Sequence, residues 1–145
     1  MEKIIVHTDG GSRGNPGPAA IGVFIQDASG GVMARYGETI GKATNNEAEY
    51  RALISALQKI KALIGKEKSK QTNADVYMDS ELIVRQLNGE YKIEVEHLIP
   101  FFIKIWNLKI DFAEVTFSHI PREKNKEADA MVNEALDREQ GGLFE

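Results

Sequence analysis

Four carboxylates stand where a folded chain has little structural use for them. Asp9 closes the apolar run KIIVHTD and Asp79 closes ADVYMD, so both are predicted at strand tips, where α/β sheets tend to place their chemistry. Glu49 lies four residues before Leu53, and Asp129 lies three before Val132 and seven before Leu136. At helical spacing each shares the apolar stripe of its helix and points toward a sheet instead of toward water. Singly, each acid has an ordinary reading. An aspartate at a strand end forms turns, an acid in a first helical turn complements the helix dipole, and Glu49 could pair with a lysine. Gathered at one edge, the four would repel and raise one another's pKa, and a divalent cation relieves that repulsion. Oxygen ligands with no Cys and no His-x-x-x-His pair point to Mg²⁺ or Mn²⁺ in preference to zinc. Magnesium typically bridges carboxylates to phosphates, so the substrate class is a phosphate ester.

The elements that must position these acids follow from periodicity. Lys3 to Asp9, Ala19 to Gln26 and Gly31 to Ile40 read as strands, the last two joined by ASGG at residues 28–31, which suggests an antiparallel meander. From Thr44 the period becomes helical through Leu53, Ala56, Leu57, Ile60 and Leu63, with Thr44 and Glu47 forming a capping box. GKEKSKQTN, residues 65–73, is predicted as a polar loop, and Ala74 to Met78 as a short strand. Ser80 caps a helix that Asn88-Gly89 breaks, Leu98 to Leu108 forms another, Phe112 to His119 alternates as a strand, and Asn125 caps a last helix to about Arg138. The resulting order is βββ, α, β, α, α, β, α: an α/β chain with a mixed sheet and helices packed on it.

Composition bounds the rest. At 145 residues, 42% hydrophobic, the chain has the size of one domain, assigned to residues 1–138, with residues 139–145 as a C-terminal tail. The absence of cysteine excludes disulfides and thiolate metal sites and suits a cytoplasmic location. The start MEKIIVHTDGG is too short in apolar residues for a secretory signal, and no run approaches a membrane span. A soluble monomer is expected. A net charge of −4 argues against a general nucleic-acid coat, but four acids committed to metal ions would leave the remaining surface close to neutral.

The segments TDGGSRGNPGPAAIGVF, TNNEAEYRAL, MDSELIVRQLNGEY and HIPREKNKEADAMVNEA, in that order, closely resemble ribonuclease H of type 1, from residue 4 to about 136. The resemblance implies the ribonuclease H-like fold, a five-stranded mixed sheet with helices on both faces. It also implies an activity: endonucleolytic hydrolysis of the RNA strand of an RNA–DNA hybrid by a two-metal mechanism, with Mg²⁺ as cofactor and Mn²⁺ able to replace it, leaving 5′-phosphate and 3′-hydroxyl ends. The family's metal-binding and catalytic acids fall on Asp9, Glu49, Asp79 and Asp129. By the same resemblance Gly10, Gly11, Asn15, Asn45 and Asn46 meet the hybrid's minor groove, where a 2′-hydroxyl marks RNA. Lys42 and Thr44 match positions that hold a phosphate of the DNA strand.

The glycines fit this reading, since Gly10, Gly11 and Gly14 let the main chain approach a nucleic-acid backbone. A nucleotide-phosphate cradle would instead need a helix opening directly after them, and Pro16-Gly17-Pro18 leads into a strand. The chain departs from many relatives in two places. Where they carry a basic protrusion it has the short, acidic NGEYKIEVEH. Where they carry a histidine on a flexible loop it has His119 in strand-like FSHIP, read as a packed residue, so Arg122 is the better catalytic candidate, offering a fixed positive charge to the scissile phosphate. A non-cleaving hybrid-binding module of the same fold is the alternative function, and an integrase-like or transposase-like core is a third. At the tail, Gly141-Gly142 is expected to stop the helix; Leu143 and Phe144 then either fold back onto the domain as a hydrophobic clasp or, with Gln140, act as one of the short peptides they resemble, which dock on the bacterial sliding clamp.

Overall fold

The structure, a computed structural model, describes residues 2–142. Three strands, β1 (Glu2–Ser12), β2 (Gly17–Asp27) and β3 (Val32–Ala43), form the antiparallel meander. Strands β4 (Thr72–Met78) and β5 (Glu114–His119) add on the other side, parallel to β1, in the order β3-β2-β1-β4-β5. The parallel pairings require crossovers, and helices supply them.

Helix α1 (Asn45–Ile64) begins at Thr44, whose Oγ1 accepts the Glu47 N–H at 3.2 Å, and stops at Gly65 with φ 86°. Its stripe of Tyr50, Leu53, Leu57 and Ile60 is fully buried against Val6, Val23, Ile25 and Val76 of the sheet. Each such side chain contributes roughly 2 kcal/mol by leaving water. Helix α3 (Glu81–Leu87), capped by the Ser80 hydroxyl, and helix α4 (Ile99–Lys109) share that core through Ile83, Leu87, Ile105 and Leu108. Helix α5 (Lys126–Gly142) packs on the opposite face with Val132, Ala135 and Leu136 over Ala20. Among the described residues no helix is long and apolar enough to cross a membrane.

Three elements differ from the sequence reading. The predicted loop at 65–73 holds a short helix, α2 (Lys66–Ser69), and the start of β4, because the Ser69 and Thr72 hydroxyls each donate 2.7 Å bonds to the carbonyls of Gly65 and Lys68 and let polar chain be buried. Strand β1 runs three residues past Asp9. Helix α5 continues through Gly141 and Gly142, so that pair does not end it. Leu143 and Phe144 lie outside the described residues.

Candidate active site

Sheet pairing places the first and third acids. β1 pairs with β4 only as far as His7 opposite Tyr77, whereas its pairing with β2 continues through Asp9 opposite Gly22 to Ser12. Asp9 is therefore not at a strand tip. It sits on a continuing strand just where the neighbour on one side has ended, and Asp79 follows immediately after that neighbour. The opening between them exists because a parallel neighbour must leave the sheet to start its crossover.

Glycine explains how the other two acids arrive. A Cβ on Gly10 would overlap the Ala48 carbonyl and the Glu49 nitrogen, so α1 crosses β1 with backbone nearly against backbone. At that crossing the Gly10 N–H donates to Glu49 Oε1 at 2.8 Å. Gly10 lines the cleft, and the absence of a side chain there is also required by α1. Gly22 and Gly37 do the same for α5, whose Ala128 and Met131 carbonyls occupy the space a Cβ would take. Asp129, one residue on, is carried to the same edge. Asn125, buried before α5, donates from Nδ2 to the Thr8 carbonyl at 2.9 Å and pins the start of the helix to β1.

Carboxylate oxygens of Asp9, Glu49 and Asp79 lie within 4.8 Å of one another. Asp9 and Glu49 are buried; Asp129 is more open at the rim, with Arg122 Nη2 at 3.7 Å from its Oδ1. Burial chiefly, with Asp79 and Asp129 adding to it and the Glu49 side chain opposing it, pushes Asp9 up from 3.8 to about 7. Burial and Asp9 raise Glu49 well above the usual carboxylate range. Asp79 is raised by burial as well, opposed by the Asn125 side chain, Arg122 and His119. Glu49 Oε2 is buried without a hydrogen-bond partner. An acceptor of this kind, facing two other carboxylates, is unfavourable unless a proton or a cation sits beside it. The donor set, all oxygen and formally anionic, fits a hard divalent cation.

One consequence is measurable. Binding a cation must displace the protons that burial holds on Glu49 and Asp9, so affinity for Mg²⁺ or Mn²⁺ is expected to rise from about pH 6 to about pH 8 with proton release. Calorimetric titration in buffers of different ionisation enthalpy checks this. An affinity flat over that range would mean the acids are already ionised without metal.

The cleft over the acids, about 440 Å³, is lined by all four together with Gly10, Gly11, Asn45, Asn46 and Arg122. Asn15, Lys42 and Thr44 are not among its lining residues. Asn15 Oδ1 accepts the Asn45 N–H at 3.0 Å, and Asn45 Oδ1 accepts the Ser12 N–H at 2.8 Å. These bonds tie the glycine loop to the start of α1 and leave both amide NH₂ groups free of those contacts. Lys42 is exposed near the end of β3, opposite Pro18. His119 is not packed as read from the sequence; it is exposed at the end of β5 beside Asp79.

Residues 7–135 match the family described as reverse transcriptase-like. Among solved structures, LC11-RNase H1 in complex with an RNA/DNA hybrid is 47% identical, covers 94% of this chain and 99% of its own, and superposes with a TM-score of 0.88. The chain belongs to the ribonuclease H type 1 family. Ribonuclease HI of Halobacterium salinarum is 40% identical over 93% of this chain and 65% of its own length. A bifunctional protein of Mycobacterium tuberculosis is 38% identical over 93% of this chain but 36% of its own length. The chain thus spans less than two thirds of these curated relatives.

Within this ribonuclease H fold, two residues escaped the sequence reading. The local sequence marks Asn125 only as a cap, and its bond to Thr8, 117 residues away, has no local signature. Arg13 bonds Asp137 at 2.7 Å and Gln140 at 2.6 Å, tying the glycine loop to α5. A lone arginine among glycines carries no hint of either partner.

Proposed function

We propose that the chain is a metal-dependent endonuclease that hydrolyses the RNA strand of an RNA–DNA hybrid. The observation that carries this is the convergence of the four acids under one open cleft, with Glu49 Oε2 unsatisfied, in a fold whose relative LC11-RNase H1 binds such a hybrid. Asp9, Glu49, Asp79 and Asp129 would hold two ions, Mg²⁺ or Mn²⁺. When bound, such a pair supplies charge stabilisation to the attacking and leaving oxygens of an in-line displacement, giving 5′-phosphate and 3′-hydroxyl ends.

The chain's own groups do the remainder. Asn45 and Asn46 on the cleft wall, with Asn15 behind them, present amides to the minor groove, where they can meet a 2′-hydroxyl. Gly11 keeps the strand beside Asp9 low enough for a backbone to pass. Lys42 and Thr44 take a phosphate of the DNA strand and fix register. Arg122, in the short turn before α5 and 80% exposed in its side chain, swings a permanent charge over the acids toward the scissile phosphate. A non-cleaving module would have no use for four acids whose mutual repulsion disfavours the folded state.

Labelled hybrid, RNA duplex and DNA duplex incubated with Mg²⁺ or EDTA test the proposal. Cleavage confined to the RNA of the hybrid, and abolished by EDTA, is the expected result; binding without cleavage would favour the module. Arg122→Ala is expected to lower turnover roughly ten- to a hundredfold, and His119→Ala much less. Single-turnover rates decide this, and reversed effects would move the catalytic role to His119.

We also propose that the tail docks on a sliding clamp. Gln140 is held by Arg13, so Leu143 and Phe144 would be the anchors. A labelled peptide of residues 136–145 titrated against the source organism's clamp should bind, and lose binding on Phe144→Ala; no binding at high micromolar concentration removes the idea.

A further inference from the structure

Helix α4 is apolar on two opposite faces. Its inner face, Leu98, Ile105, Leu108 and the following Phe112, is buried in the core, with Phe101 and Phe102 packed against it. Its outer face shows Ile99 at 39%, Ile103 at 52%, Trp106 at 45% and Ile110 at 77% exposure. The steps of four, three and four residues between them place all four on one stripe. Most of the large exposed hydrophobics elsewhere are scattered singly, which needs no explanation. A continuous stripe on a helix whose other side is already buried marks a contact surface.

We infer that this stripe is the interface with a second copy of the chain, the two α4 helices lying antiparallel across a two-fold axis, in place of the monomer read from the sequence. Spacing and charge both favour a second copy. The stripe is its own complement on reversal: with the axis between Ile103 and Trp106, Ile103 of one copy meets Trp106 of the other, and Ile99 meets Ile110. The ends are of opposite sign, with Glu94 and Glu96 exposed ahead of α4 and Lys109 as its last residue. Antiparallel packing therefore sets the acidic end of one copy toward the basic end of the other, and opposes the helix dipoles favourably. Lys109 already lies with Nζ 4.1 Å from the Trp106 ring centroid, so its stem widens the apolar strip while its charge stays at the rim. The acids lie elsewhere, between the ends of β1 and β4 and α5, so the pairing leaves both clefts free.

A helix of eleven residues is about 16 Å long, so the contact is small and the dimer weak, dissociating in the range of tens to hundreds of micromolar, estimated as roughly the low end of specific interfaces. Sedimentation velocity and light scattering of the intact chain from about 10 to about 500 μM test it. The expected result is a mass rising toward twice the monomer. Ile103→Glu and Ile110→Glu, at exposed positions, should raise the dissociation constant at least tenfold while leaving the melting temperature of the monomer unchanged. Glu96→Lys should weaken association severalfold, and adding Lys109→Glu should restore it. A wild type that stays monomeric throughout, or a dimer that survives Ile103→Glu in a folded chain, overturns the inference. Failure of the charge swap to restore association overturns the antiparallel arrangement. None of these readouts depends on the proposed nuclease activity.

Discussion

Asp9→Asn is expected to abolish hybrid cleavage, by at least about a thousandfold, while hybrid binding persists and the metal-free protein becomes more stable. The two halves of this result have one cause. Folding lifts the Asp9 carboxyl from 3.8 to about 7, mainly through burial, so its ionisation opposes folding. That penalty is absent below the unfolded-state value near 3.8, grows as pH rises from there to about 7, and is constant above it. Above neutrality it is on the order of 4 kcal/mol. Asparagine keeps the shape and removes the charge. In EDTA at about pH 8 the variant should therefore melt several degrees above wild type, and the gap should narrow as pH falls below 7 and close only near pH 4. Magnesium should raise the melting temperature of wild type far more than that of the variant. A variant that cleaves at near wild-type rate would remove Asp9 from the metal site. One that melts well below wild type in EDTA would mark its carboxylate as structural.

Gly10→Ala has the second large effect, and it discriminates between two roles for the same glycine. If Gly10 served only to let nucleic acid approach, alanine would leave stability intact and weaken hybrid binding alone. The position permits no such separation, because the added methyl would overlap the Ala48 carbonyl and the Glu49 nitrogen. Both obstacles are backbone of a helix whose apolar stripe is fully buried, so neither can yield cheaply. The expected cost is about 3 kcal/mol or more, roughly ten degrees in melting temperature. Any chain that still folds will have α1 displaced at its start, with the Gly10 to Glu49 bond lost and metal affinity reduced. Thermal denaturation together with metal titration decides the matter. A variant with unchanged melting temperature and metal affinity would return Gly10 to the groove.

Much of the site could be read without coordinates, because an acid on an apolar stripe is a local anomaly. Glu49 before Leu53 and Asp129 before Val132 break helical patterns visible within a few residues, and Asp79 ends a strand whose period is equally local. The same locality identifies α4 as a helix and Thr44 as its predecessor's cap in α1. What lies opposite a residue is a different kind of fact. The apolar run ends at Asp9, which by itself predicts a strand tip there, yet β1 continues to Ser12 since β2 still pairs with it. The site opens there because β4 has ended, which no property of β1 records. Gly10 is bare on account of a helix that begins 35 residues later, and Asn125 reaches a carbonyl 117 residues back. Such contacts leave no period, since each depends on the distance between two packed backbones. The outer stripe of α4 shows the same division: its apolar residues were plain in the sequence, but only packing decided which of two apolar faces the core would take and which it would leave in water.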